Sequence, residues 1–75
     1  MNIYDLKQGE TAHITAVNVA GSALTRLNSL GIGAGRQVTV ISFSLFKSSV
    51  LIVCGGVRLG LRKAMAKNIE VTPCE

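Results

Sequence analysis

Between Glu10 and Val17 the chain alternates, with Ala12, Ile14 and Ala16 on one side and Thr11, His13 and Thr15 on the other. A period of two predicts a half-buried strand. Leu24, Leu27 and Leu30 then recur every third residue, with Ala20 and Ala23 nearby. That spacing predicts a short amphipathic helix over Ser22 to Leu30 with one narrow leucine stripe. Gly21 or Ser22 is placed to cap its start, and Gly31 suits the left-handed position just past its end. From Arg36 to Ser44 the residues are β-branched and aromatic, and a polar tip at Lys47-Ser48 leads into Ser49 to Cys54. This is the mark of a hairpin. Gly55-Gly56 predicts a second tight turn, after which Val57, Leu59 and Leu61 alternate with Arg58, Gly60 and Arg62. A helical turn at Lys63 to Asn68 precedes a last short strand, Ile69 to Thr72. At the other end, residues 3–9 read as an extension closed by Gly9, with Leu6 and Ile3 docking on the core.

These elements predict a mainly β fold, a small, partly open barrel of SH3-like type. It has about five strands, one short helix between strands 1 and 2, and a single helical turn before the last strand. A five-stranded oligonucleotide-binding barrel is the competing fold. With 75 residues, the whole of 1–75 makes one domain. Such a chain buries only about 60% of its unfolded surface. At 48% hydrophobic residues it is more apolar than so small a core absorbs. The surplus points to a partner surface.

The net charge of +4 favours acidic partners. Met-Asn-Ile-Tyr-Asp at the start carries an acid where a secretory signal carries basic residues, and the longest apolar run, Val50 to Cys54, falls far short of the ~20 residues that span a bilayer. The expectation is a cytoplasmic protein with no membrane insertion, able to work beside a membrane through its partner. Cys54 and Cys74 lie in no CxxC or Cys/His motif, so they read as a core residue and a tail thiol, both reduced.

Gly31, Gly33 and Gly35 raise the question of a phosphate cradle. Phosphate loops run strand, glycine turn, helix, because anions sit at helix N-termini. Here the glycines follow a helix, whose C-terminal carbonyls repel phosphate. The glycines are turn residues: Gly31 stops the helix and Gly35 launches the next strand, as Gly55 and Gly56 turn a later hairpin.

Leu6, Gly9-Glu10, the alternating strand to Val17, Arg26-Leu27-x-x-Leu30-Gly31-Ile32-x-x-Gly35 and Val38-x-Val40 together resemble the ferrous iron transport protein A family, FeoA. Gly55-Gly56, Val57, Leu59, Leu61-Arg62, Ala66, Ile69 and Val71 continue the resemblance, which spans about Leu6 to Val71. Two positions depart from the family pattern: Ala34 stands where proline is common, and Gly60 where alanine is frequent. The resemblance implies an SH3-like barrel and a cytoplasmic accessory role in bacterial ferrous iron uptake. Its implied partner is FeoB, a membrane iron transporter with a cytoplasmic GTPase domain. It also relates the chain to the regulatory C-terminal module of metal-dependent repressors, which is the alternative function.

The residues themselves offer no metal cluster and no catalytic group. His13 is the one histidine, and the acids Asp5, Glu10, Glu70 and Glu75 are scattered. The expectation is a non-enzyme with no cofactor and no stoichiometric ferrous site in the monomer; weak or interface iron association comes from the resemblance alone. Two surfaces are candidates for partner binding. One is the apolar stretch Phe43, Leu45 and Phe46, open to self-association unless the helix or the N-terminal segment covers it. The other is the strip Arg58, Gly60, Arg62, whose guanidiniums stand about 13 Å apart over bare backbone, followed by Lys63 and Lys67. Nucleic acid is disfavoured, since single-strand binders set aromatics within a cationic groove. Tyr4, Phe43 and Phe46 all lie away from the basic run in sequence.

Overall fold

The computed structural model describes residues Met1–Cys74. Five strands form one antiparallel sheet: β1 Thr11–Val17, β2 Gln37–Phe43, β3 Ser49–Cys54, β4 Val57–Arg62 and β5 Ile69–Pro73, in the order β4-β3-β2-β1-β5. Helix α1, Gly21–Ser29, lies between β1 and β2, and the four-residue α2, Lys63–Ala66, precedes β5. This is the expected arrangement. β1 departs from simple alternation because its pairing with β5 shifts between Ile14 and Ala16. Ala12 and Ile14 are therefore buried, whereas Ala16 is only half-buried.

One side of the sheet supplies the core. Ala12 and Ile14 of β1 meet Val38 and Val40 of β2, Val50, Ile52 and Cys54 of β3, Leu61 of β4, and Ile69 and Val71 of β5. Ile3, Leu6, Leu27, Ile32 and Ala66 close over them from outside the sheet. Burial pushes the Cys54 thiol up, with the nearby Arg36 guanidinium opposing it, so this cysteine stays a neutral packing residue. The N-terminal segment docks as expected through a short 3-10 turn, Ile3–Asp5. Asn2 Oδ1 accepts from the Tyr4 N–H at 2.8 Å, and Asp5 accepts from the Asn2 N–H at 2.9 Å.

Helix α1 begins one residue earlier than the pattern suggests. Ala20 is its N-cap, and neither Gly21 nor Ser22 caps it; no side chain does. Its other end is tightly specified. The Gly31 N–H bonds the Asn28 carbonyl at 3.1 Å, and the Ile32 N–H reaches back to Leu27 at 2.9 Å. With Gly31 at φ +85°, this is a Schellman stop, closed by burial of Ile32 against the turn that carries Leu27. The Arg36 guanidinium donates through Nε to the Gly31 carbonyl at 2.8 Å, so this carbonyl at the helix end is satisfied from within the chain. A methyl group at Gly31 would stand 3.1 Å from that guanidinium, on a backbone that L-residues avoid. Gly31→Ala is expected to lower stability by about 1–2 kcal/mol in a urea titration, without changing the fold. Gly35, Gly55 and Gly56 also take positive φ, matching their reading as turn residues.

Candidate functional site

Helix α1 does not seal against the sheet. Leu27 alone of its leucine stripe is fully buried, while Leu24 and Leu30 remain part-exposed. Opposite it runs β4, an edge strand. Between the two lies a groove of about 520 Å³, lined by Ala23, Arg26, Leu27 and Leu30 of the helix side, Leu59, Gly60, Leu61 and Arg62 of β4, and Met65 of α2. Its walls are chiefly aliphatic, and two guanidiniums, Arg26 and Arg62, stand at its border. The only ion pair among the described residues joins the N-terminal amine to Glu70, so neither arginine has a carboxylate partner there.

The backbone of β4 adds a second kind of contact. Gly55-Gly56 forms a two-residue turn with φ +60° and +80°, which places Cys54 and Val57 as its flanking pair. In an antiparallel ladder every second residue turns its N–H and C=O away from the partner strand. Counting from that turn, the residues facing the free edge are Arg58, Gly60 and Arg62. Gly60 needs no left-handed backbone, and a Cβ there would meet nothing nearer than the Val50 carbonyl oxygen at 4.0 Å. The fold therefore does not require a glycine at 60. What its absence of a side chain provides is an open approach to the strand edge.

The strip inferred from the sequence thus divides. Gly60 and Arg62 border the groove, joined by Arg26 from a distant part of the chain, and Arg58 lies outside it. The apolar stretch divides as well. Phe43 is half-buried, its ring 5.3 Å from that of Tyr4, so the N-terminal segment covers it. Leu45 and Phe46 remain 80% and 90% exposed at the tip joining β2 to β3. Phe46 and Lys47 there adopt φ +64° and +54°, values that cost non-glycine residues energy. Neither side chain at the tip contributes to the core. Phe46→Asp combined with Leu45→Ser is expected to leave the melting curve unchanged. Phe46→Gly should raise the urea midpoint, by up to about 1 kcal/mol of stability. A double variant that unfolds would show the tip to be structural.

Two juxtapositions escape the sequence. An aromatic and a cation that stand apart along the chain meet in space, since Lys63 Nζ lies 5.9 Å from the Tyr4 ring centre, while Lys47 Nζ, four residues on from Phe43, lies 5.0 Å from that ring centre. Both rings are thereby engaged by their own chain. The Tyr4 hydroxyl is buried without a hydrogen-bond partner, and burial pushes its pKa up. The second juxtaposition is His13 with Cys74, at opposite ends of the sequence, whose Nδ1 and Sγ are 3.2 Å apart. Among the described residues, no three potential metal donors come together. No helix there is long and apolar enough to cross a membrane.

A family model for the FeoA domain matches residues 1–73. None of the curated proteins matches the chain. Among solved structures, the FeoA protein from Chlorobium tepidum superposes with a TM-score of 0.94 at 28% identity, covering 100% of this chain and 71% of that one. Iron(II) transport protein A from Clostridium thermocellum gives 0.91 at 25% identity over 97% of this chain, which spans only 45% of that protein's length. FeoA from Stenotrophomonas maltophilia in complex with zinc, described as an SH3 domain protein and a candidate ferrous iron transport activating factor, gives 0.81 at 26% identity, covering 96% of this chain and 89% of that one. A manganese-dependent transcriptional repressor shares the fold alone, at 18% identity and TM-score 0.87 over 99% of this chain and 36% of the repressor. A glycine-stopped helix, five antiparallel strands and a matching model over nearly the whole length agree: the chain belongs to the FeoA domain family and has its SH3-like fold.

Proposed function

We propose that this domain is a non-catalytic cytoplasmic accessory factor of bacterial ferrous iron uptake that acts by binding the cytoplasmic part of the membrane transporter, FeoB. The observation that carries this reading is the groove between α1 and β4. It combines aliphatic walls, a strand edge left bare at Gly60, and two arginines with no carboxylate partner among the described residues. An extended segment with apolar side chains and carboxylates matches all three. Its backbone adds to β4, its side chains enter between Leu30, Leu59 and Met65, and its acids meet Arg26 and Arg62. The exposed tip at Leu45 and Phe46 lies just beyond, since Ser48 accepts a hydrogen bond from the Lys63 N–H that directly follows β4. It offers a second apolar contact to the same partner.

The deciding experiment is a titration of the purified cytoplasmic part of the transporter with this domain, with and without guanine nucleotide. Saturable binding that weakens with salt supports the reading, because charges at a groove rim add a salt-dependent term. Absence of binding in both nucleotide states at tens of micromolar protein removes it. The alternative is a regulatory module of the repressor type, or a small basic nucleic-acid binder. Here the ring faces of Tyr4 and Phe43 are engaged by Lys63 and Lys47, which leaves Phe46 as the one exposed stacking surface. A gel-shift series with single-stranded and duplex oligonucleotides is expected to show no complex at low salt, where phosphate binding is strongest.

A further inference from the structure

His13 and Cys74 lie 61 positions apart in sequence and touch in the fold. His13 is held from both sides, since β1 pairs it with Gln37 of β2 and with Thr72 of β5. Cys74 is held by its own N–H, which bonds the Thr11 carbonyl at 3.0 Å. The sulfur lies 3.2 Å from Nδ1, 3.9 Å from Nε2, and 3.7 Å from the Gln37 amide nitrogen. The imidazole is exposed and the cysteine half-buried, so the pair faces solvent from an ordered sheet.

Thiolate and imidazole are the donor types that select zinc-like cations over magnesium or calcium. Zinc bonds of about 2.3 Å to sulfur and about 2.0 Å to nitrogen, set at a tetrahedral angle, put the two donors roughly 3.5 Å apart. The sulfur lies 3.2 Å from Nδ1 but also only 3.9 Å from Nε2, so it sits against the ring beside Nδ1 and off the Nδ1 lone pair. The exposed imidazole must turn about its Cβ–Cγ bond to take a cation between the two donors. We propose that Cys74 and His13 form a two-donor site for a thiophilic divalent cation of the zinc class, with the remaining coordination positions left to water. On binding, the thiol releases its proton to solvent and the sulfur coordinates as thiolate. The imidazole coordinates through Nδ1 and keeps its proton on Nε2.

Cobalt(II) reports this directly, because a thiolate ligand gives a charge-transfer band and tetrahedral geometry gives intense ligand-field bands. Reduced, metal-free protein is titrated anaerobically with cobalt(II) chloride. One ion per chain with a thiolate-to-cobalt band, displaced by zinc and untouched by excess magnesium, is expected. Cys74→Ser should abolish the band. His13→Ala should weaken cobalt binding by more than about tenfold, as loss of a coordination-sphere partner does elsewhere. The wild-type melting curve should be kept by both variants, since neither side chain belongs to the buried core. The buried Cys54 is distinguished by the same Cys74→Ser variant: a band that survives there belongs to another thiol and overturns the proposal. So does the absence of any charge-transfer band at millimolar cobalt, or a His13→Ala protein that binds as tightly as the parent.

Discussion

Replacing Gly60 with valine is expected to cut binding to the transporter's cytoplasmic part by more than about tenfold, or 1.4 kcal/mol, while thermal stability holds or rises. The two effects have opposite signs because they arise at different places. Within the domain, residue 60 sits opposite Leu51 in an edge strand, and its Cβ would meet only a carbonyl oxygen at van der Waals distance. A β-branched residue is at home in a strand and restricts the unfolded chain more than glycine does, so stability gains by up to about 1 kcal/mol. Outside the domain, the valine methyls stand where a partner's backbone would approach the edge of β4. Gly60→Ala, a smaller change, should keep most of the affinity. Charge reversal of Arg26 and Arg62 to glutamate should weaken binding too, but mainly through the association rate and its salt dependence. The measurement is a binding titration beside a thermal melt for each variant. Gly60→Val binding at full strength would remove the groove as the docking surface. A valine variant that melts early would instead show that the glycine serves the fold.

How legible this site was depends on the range of the contacts that build it. The strands, their turns and the helix stop follow from local rules. Alternation in β1, the Gly55-Gly56 turn with both residues at positive φ, and Gly31 past the leucine stripe each involve neighbours in sequence. The helix start was less readable, because Ala20 caps it without a side-chain hydrogen bond and so leaves no residue signature. Gly60 and Arg62 could be singled out as a bare stretch flanked by charge. That Arg26 joins them, and Arg58 does not, depends on how α1 lies across the sheet, which a stripe of three leucines does not specify. Phe43 was ambiguous for a related reason. Both faces of β2 carry apolar residues, and only the docking of Tyr4 decides which one is covered. His13 and Cys74 carried no signal at all, since the pairing of the first strand with the last brings them together. A rule that checks cysteines near the chain end against polar positions of the first strand would have found them.

The second large effect concerns the glycine-rich segment after α1. Ile32→Ala is expected to destabilise the domain by about 2–5 kcal/mol. Ile32 is fully buried in the main core and its N–H closes the Schellman stop on Leu27, so one residue ties the helix end to the sheet. Deleting its side chain leaves a cavity at that junction, and the glycines on either side give the loop no other apolar anchor to collapse with. A domain of this size has a total stability of only about 4–11 kcal/mol, so the loss is a large share of the whole. The melting temperature should fall by roughly 10 °C or more. Because α1 forms one wall of the groove, transporter binding should fail at temperatures where the variant still keeps most of its sheet. Circular dichroism melts and binding titrations over the same temperature range separate the two losses. Coincident curves would mean that helix and sheet unfold as one unit; binding lost first would show that the glycine stop, far from being a phosphate cradle, holds the docking wall in place. A drop in stability below about 1 kcal/mol would show that the helix end is anchored elsewhere.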